Sequence, residues 1–198
     1  MFGLFKKKPQ PEQPKPDASL IVPRIKHTNF LAALRDIGTG PDDTPLTEPL
    51  VGDLIVTYAF DLSEAFQMVC PQDCQRLGIQ PGQIRAIAVA NLKRQLGNIG
   101  RQGEPPLLKM VVGGNLEACL LLVDDIWQSL AGKIPPEIVV GVPTRDVLLI
   151  TTTSSTKGGL QMLRDAVKEA HGQETTHALT QQLLVRRGDR WEVFDGAV

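Results

Sequence analysis

Short runs of apolar and β-branched residues, separated by Gly, Pro, Asp and Asn, recur along most of the chain and predict β-strands. The clearest run is residues 53–62, which is apolar on both faces and therefore belongs in the middle of a covered sheet. Pro23 pushes the first predicted strand towards a sheet edge, and Gly188-Asp189 predicts a two-residue hairpin turn. The other predicted strands are residues 20–26, 107–112, 138–142, 147–152, 182–187 and 190–194.

Apolar residues at helical spacing predict helices between these strands. Ser, Thr and Asn cap several of their starts, Pro81 opens another, and glycines follow several of their ends. The predicted helices are residues 29–37, 63–69, 72–77, 81–96, 115–130 and 157–171, with N-caps at Thr28, Ser63, Asn115 and Thr156. Residues 38–49 predict a loop.

Helices mixed with hairpins favour an α+β fold over a doubly wound nucleotide-binding fold. We expect a largely antiparallel or mixed sheet, packed with several helices, in a single domain over residues 20–198. Residues 1–19 contain four prolines interleaved with Gln, Glu and Lys, a composition that predicts a disordered tail.

Composition narrows the function classes. The 198 residues are 42% hydrophobic and 22% charged, with a formal net charge of −1, so nucleic acid is not an expected partner. No apolar run approaches the roughly 20 residues that span a bilayer. The odd count of three cysteines argues against a disulfide framework and predicts a cytoplasmic location.

The tail also suggests weak, reversible contact with an anionic membrane, as an alternative to a plain disordered leader. A few apolar residues followed by lysines have the composition that such contact requires. The residues concerned are Phe2, Leu4, Phe5, Lys6, Lys7 and Lys8.

The sequence contains no strong motif for a metal site or for a catalytic nucleophile. Cys70 and Cys74 have no histidine close in sequence, whereas structural zinc takes four soft ligands, so no metal site is predicted. No Gly-x-Ser-x-Gly elbow occurs either. Neither catalytic residues nor a cofactor can be assigned.

The polar residues Arg145 and Asp146 lie between two runs that predict buried strands. Buried charges persist only when they are paired and hydrogen-bonded. Either the two residues close a hairpin, through a turn over residues 142–145, or they line a pocket with Asp61 or Asn115. We expect Asp61 to pair with Arg145 across the sheet.

A second candidate site precedes the last predicted helix. Thr156, Lys157 and Gly158 lie in a Ser/Thr/Gly-rich stretch, where free backbone N–H groups and the helix dipole favour an anion. The alternative is simple hydroxyl capping on a surface loop, because the spacing does not match a P-loop.

Several blocks of the chain resemble the YtpQ-like family of bacterial proteins of unknown function. The more specific blocks are Tyr58-Ala-Phe-Asp-Leu62 and Val142-Pro-Thr-Arg-Asp-Val-Leu148, and the resemblance covers residues 20–152. It implies an uncharacterised bacterial protein and carries over no activity, catalytic residue or cofactor.

Two functions remain open. The first is a non-catalytic, cytosolic protein-interaction domain, an adaptor or inhibitor whose partner is another protein. The alternative is a small enzyme or anion-ligand-binding domain that uses the Arg145/Asp146 polar cluster. A pocket that contains these side chains would favour the alternative.

Overall fold

Two antiparallel sheets organise the chain into a single α+β domain, as the sequence predicts. This architecture is seen in a computed structural model, which describes residues 16–36, 38, 40, 42–62, 65–131, 137–154, 158–174 and 176–196. The larger hydrophobic core joins both sheets, for example through Val56 and Phe60 of the smaller sheet, Val140 and Leu148 of the larger one, and Trp127.

The smaller sheet is built around its central strand. Its strands are β1 (Ile21–His27), β2 (Thr47–Val51), β3 (Leu54–Asp61) and β4 (Phe66–Met68). β3 pairs with the other three and is buried along nearly its whole length, which confirms the prediction from its two apolar faces. β1 pairs with β3 alone, so Pro23 lies on an edge strand as predicted.

The larger sheet has the strand order β10-β9-β7-β8-β6-β5. Its strands are β5 (Gly100–Gln102), β6 (Leu108–Val111), β7 (Ile138–Thr144), β8 (Val147–Thr152), β9 (Leu183–Arg187) and β10 (Arg190–Val193). Gly188, with φ +63°, and Asp189 join β9 to β10, which confirms the predicted hairpin.

Helices cover the sheets. They are α1 (Asn29–Asp36), α2 (Pro71–Leu77), α3 (Ile84–Gln95), α4 (Asp124–Ala131) and α5 (Gly159–Gln173), with 3₁₀ turns at Ala18–Leu20, Pro81–Gln83 and Ala118–Leu122. α5 packs its Leu163 and Val167 against one face of the larger sheet. The backbone approaches closely there, since a Cβ on Gly141 would lie 2.2 Å from Val167 Cγ2.

The helix predicted over residues 63–69 is wrong. Residues Phe66–Met68 form β4 and pair with Ala59–Asp61 of β3. The predicted cap, Ser63, lies outside the described residues. Tertiary pairing with a neighbouring strand outweighs the local preference here, because a short segment gains little from isolated helix formation.

The continuous helix predicted over residues 115–130 is also wrong. The chain forms the 3₁₀ turn Ala118–Leu122, leaves it at Val123 and starts α4 at Asp124. Asn115 does not cap a helix, because residues 113–116 form a loop that starts with positive φ at Gly113 and Gly114.

Besides β4, two more strands fall where no strand was predicted. β2 lies partly in the predicted loop over residues 38–49, and β5 consists of Gly100–Gln102, which are all exposed. Both are polar and short, so their sequences lack the apolar alternation that marks a strand. They form because β3 and β6 offer them backbone partners.

Residues just before 20 already contact helix α3. Ala18–Leu20 form a 3₁₀ turn, and Asn91 Nδ2 of α3 donates to the carbonyl oxygens of Ala18 and Ile21 at 2.7 Å each. Residues 1–15, which include the tail residues Phe2 to Lys8, lie outside the described residues.

Candidate functional site

Arg145 and Asp146 are the two turn residues of the β7–β8 hairpin. Thr144 pairs with Val147, so β7 continues past the predicted turn and the turn lies two residues later than expected. The Thr144 hydroxyl donates to Asp146 Oδ1 at 2.6 Å, and this hydrogen bond lowers the pKa of the Asp146 carboxyl. Asp146 thus closes the turn.

Arg145 also lines a small cleft. The cleft has a volume of about 40 Å³, and Arg24, Lys26 and His177 contribute to its wall. We call these four residues the cationic cleft. The Arg145 backbone is held on both sides, since its N–H donates to His177 O at 3.2 Å and its carbonyl oxygen accepts from Ala118 N at 3.1 Å.

Arg24 is the buried member of the cationic cleft, with an exposed fraction of 7%. Its Nη1 donates to the carbonyl oxygen of Asn115 at 3.1 Å, and its guanidinium carbon lies 4.3 Å from the ring centre of Phe66. Burial lowers the pKa of Arg24, nearby Arg145 lowers it further, and Asp61 acts in the opposite direction.

Lys26 lies two residues along β1 and is half-buried, with Nζ 5.5 Å from the ring centre of Phe30. Its pKa is lowered by burial first, and then by the positive charges of Arg24 and Arg145. The three cations therefore repel one another at close range in a partly desolvated place.

Carboxylates act on this cluster without direct contact: Asp61 opposes the lowering of the Arg24 pKa, and Arg145 helps to lower the pKa of Asp146. Among the described residues, no carboxylate forms an ion pair with Arg24, Lys26 or Arg145. Buried or crowded charges are usually paired. The electrostatics of the cationic cleft therefore favour an incoming anion.

The candidate residues from the sequence are only partly brought together. Asp61 lies near Arg24, and the structure shows no ion pair between Asp61 and Arg145. Asn115 is exposed and contributes its carbonyl oxygen to Arg24.

Of the predicted anion site at the start of α5, Thr156 and Lys157 lie outside the described residues. Gly158 is described and precedes the helix with φ +68°. Gly158 follows the end of β8 that lies farthest from the Arg145 turn. That end is about 17 Å from the turn, counted along β8 at 3.4 Å per residue. The structure does not join these residues to the cationic cleft.

Three contributors to the site were missed or misinterpreted from the sequence. Arg24 and Lys26 lie in a segment whose sequence predicts an edge strand and no site. His177 has the sequence context of an ordinary surface residue. The sequence did contain one signal for this site: two cations alternate with apolar residues in Val22-Pro-Arg-Ile-Lys26. A cation on the face of a buried strand is costly unless it is paired, so such a pattern points to a functional or paired charge.

Glu117 supports the loop beside Arg24. Its place in the first turn of the helix predicted over residues 115–130 would give it a helix-dipole role. The residue is instead 1% exposed, and its side chain accepts three backbone hydrogen bonds. Val112 N and Gly114 N donate to Oε1 at 3.0 and 2.7 Å, and Leu116 N donates to Oε2 at 3.0 Å. The loop that carries the Asn115 carbonyl is thereby fixed.

The three cysteines are free thiols. Cys119 is fully buried, donates its thiol to Pro23 O at 3.3 Å, and has its pKa raised by burial. In the part of the chain that the structure describes, no three His, Cys, Asp or Glu side chains gather as metal ligands. No described helix combines the length and apolarity needed to cross a membrane.

The chain is similar to UPF0354 proteins, an uncharacterised bacterial group. It is 26% identical to one from Listeria innocua over 159 residues, which is 73% of this chain and 53% of that protein. One from Bacillus cereus is 26% identical over 68% of this chain and 48% of its own length. One from Bacillus thuringiensis is 30% identical over 48% of this chain and 36% of its own length.

The chain thus spans about half the length of the curated relatives it matches. No protein-family model matches it, and no solved structure matches it. These similarities support an uncharacterised bacterial protein.

Proposed function

We propose that this chain is a non-catalytic protein-binding domain whose cationic cleft receives an acidic side chain of a partner protein. The observation that carries the proposal is the cluster of Arg24, Lys26 and Arg145 without a described carboxylate partner. Burial, and then repulsion from Arg24 and Arg145, lowers the pKa of Lys26, and a partner carboxylate would offset the repulsion.

The arrangement of donors suits a carboxylate. Arg24 is held by the Asn115 carbonyl and the Phe66 ring, so its guanidinium is already oriented before a ligand arrives. The Arg145 backbone is tied to His177 and Ala118. Preorganised guanidinium groups bind carboxylates through short, charge-assisted hydrogen bonds at little entropic cost.

The size of the cationic cleft favours a group that belongs to a larger molecule. Its volume of about 40 Å³ is far below the 300–1,000 Å³ of typical small-molecule sites. One carboxylate group fits, with the rest of the partner lying outside. The alternative, a small enzyme or a domain for a free anionic ligand, requires a deeper site than this cleft provides.

We also infer a cytoplasmic location, because all three cysteines are free thiols, as in reducing compartments. Within the bacterial group, we infer a YtpQ-like protein. The two blocks that carry this resemblance form the central strand β3 and the β7–β8 hairpin.

The direct test uses a synthetic peptide with a run of glutamates and its glutamine counterpart, titrated into the ¹⁵N-labelled full chain and followed by NMR. We expect signals of residues around Arg145 and His177 to shift with the glutamate peptide alone. Lys26→Gln combined with Arg145→Gln is expected to weaken binding at least about tenfold, since charged hydrogen bonds contribute roughly 1.5–3 kcal/mol each.

The matched control is Arg101→Gln, which removes an exposed charge from the edge strand β5. This variant should bind the peptide as the wild type does. Equal affinity for the glutamate and glutamine peptides would contradict binding at the cationic cleft. So would a loss of affinity in Arg101→Gln as large as that in the double variant. Affinity purification from native lysate then asks whether a stoichiometric partner is retained by wild type and Arg101→Gln and lost by the double variant.

A further inference from the structure

A second and larger cleft lies where the two sheets meet, away from the β7–β8 turn. It has a volume of about 180 Å³, which exceeds the roughly 150 Å³ of an engineered cavity that holds benzene. Three arginines and two aspartates line it together with apolar side chains; its lining residues are Leu50, Arg85, Leu121, Leu122, Asp124, Arg186, Asp189, Arg190 and Trp191. We call it the arginine cleft.

Arg186 is the buried arginine of the arginine cleft, and hydrogen bonds hold its side chain in place. Its side chain is 5% exposed, its Nε donates to Gly188 O at 3.1 Å, and its guanidinium carbon lies 5.4 Å from the Trp191 ring centre. Nη2 donates to Asp124 Oδ1 at 2.8 Å. No described residue accepts a hydrogen bond from Nη1, so the two N–H groups of Nη1 remain available.

Asp124 differs sharply from its partner in exposure. Its side chain is 55% exposed at the start of α4, whereas Arg186 is almost fully buried. Water competes for the exposed carboxylate of Asp124, whereas the buried guanidinium of Arg186 needs an anionic partner. Asp124 can therefore swing away when another anion takes its place.

Each of the other two arginines, at the rim, bonds one carboxylate among the described residues. Arg85 uses one nitrogen on Glu48 at 2.6 Å, and Arg190 uses Nε on Glu192 at 2.9 Å. The leucines and the Trp191 ring supply an apolar wall, and Trp191 is held by a 2.9 Å hydrogen bond from its indole N–H to Leu121 O.

We propose that the arginine cleft binds a small organic carboxylate, and that Asp124 occupies the anion position when the ligand is absent. The carboxylate would take the Arg186 donors, and its hydrocarbon part would pack on the leucines and Trp191. This site is independent of the cationic cleft, which is too small for a free ligand of this size.

Sodium butyrate, its neutral isostere butyramide and inorganic phosphate are the probes, titrated into the full chain at constant ionic strength. Binding is followed by the indole N–H signal of Trp191 in ¹⁵N NMR, assigned with Trp191→Phe. We expect saturable shifts with butyrate and weaker or no shifts with butyramide and phosphate, because only butyrate offers both the charge and the apolar part.

Two variants test the role of each charge in opposite directions. Asp124→Asn removes the internal competitor and should tighten butyrate binding about threefold, because the Asp124 carboxylate is exposed and already shared with water. Arg186→Gln should weaken it about tenfold or more. Since Arg186 is buried and its replacement can unfold the chain, Arg190→Gln, on an exposed residue, is included and should weaken binding severalfold.

Three results would overturn the proposal. They are no saturable butyrate binding to wild type or Asp124→Asn, equal affinity for butyrate and butyramide, or unchanged affinity in Asp124→Asn. A larger response to phosphate than to butyrate would replace the carboxylate class by inorganic anions and equally overturn it.

Discussion

The buried carboxylate of Glu117 offers the sharpest test of how the loop beside the cationic cleft is held. Glu117→Ala removes the acceptor of three backbone N–H groups, from Val112, Gly114 and Leu116. Glu117→Gln keeps an oxygen for the two donors on Oε1 and places an amide against the Leu116 N–H.

The expected cost follows from these bonds. An unsatisfied donor costs about 1–3 kcal/mol, and the low end applies because Gly114 lies in an exposed part of the loop. Three donors at about 1 kcal/mol each predict a loss of about 3 kcal/mol for Glu117→Ala and about 1 kcal/mol for Glu117→Gln. The alternative from sequence, a helix-dipole interaction, predicts at most about 1 kcal/mol and an equal loss for both variants.

Urea denaturation followed by tryptophan fluorescence measures the free energy of unfolding. With a slope of about 2 kcal/mol per molar, Glu117→Ala should lower the midpoint by about 1.5 M. Glu104→Ala, which removes an exposed carboxylate, is the control and should leave the midpoint nearly unchanged. Equal losses below 1 kcal/mol in both Glu117 variants would refute the three-bond interpretation.

Three further predictions concern packing and titration. Gly141→Ala should destabilise the fold by about 1–3 kcal/mol in urea denaturation, because its Cβ would overlap Val167, and Val167→Ala should recover part of the loss. Tyr58 is the single tyrosine, and burial and its hydrogen bond to Glu48 raise its pKa. The absorbance of tyrosinate at 295 nm should therefore stay flat until the protein unfolds in alkali, whereas Tyr58 should titrate normally in urea. The hydrogen bond from Thr144 lowers the pKa of Asp146. The ionised Asp146 therefore stabilises the fold above the ordinary pKa of 3.8, and this stabilisation is lost as the pH falls through the lowered pKa. Thr144→Val should flatten that part of the curve of stability against pH, and an unchanged curve would contradict the assignment.

Much of the fold follows from local patterns. The two apolar faces of residues 53–62 predict a central strand, and β3 is the strand that pairs with the other three of its sheet. Pro23 lacks an N–H group, and it lies on an edge strand where none is required on one side. Gly188-Asp189 predicts its hairpin because the turn needs a residue with positive φ.

The failures of prediction share a physical cause. Residues Phe66–Met68 and Thr47–Val51 become strands because β3 offers them backbone hydrogen bonds, and nothing within their own sequences shows this. The predicted helix over residues 115–130 does not begin at Asn115, because Glu117 turns its carboxylate back onto three loop N–H groups. In each case, hydrogen-bond partners outside the segment outweighed its weak local preference.

The sequence by itself determined the α+β class, the central strand, the edge position of β1 and the presence of a polar turn between two buried strands. The tertiary structure alone decided what surrounds that turn. Periodicity assigns a residue to a face of its own strand and does not identify which distant segment lies opposite. Arg24 and Arg145 become neighbours only because β1 and the β7–β8 turn line the same cleft, and the long-range contacts that bring them together have no local signature.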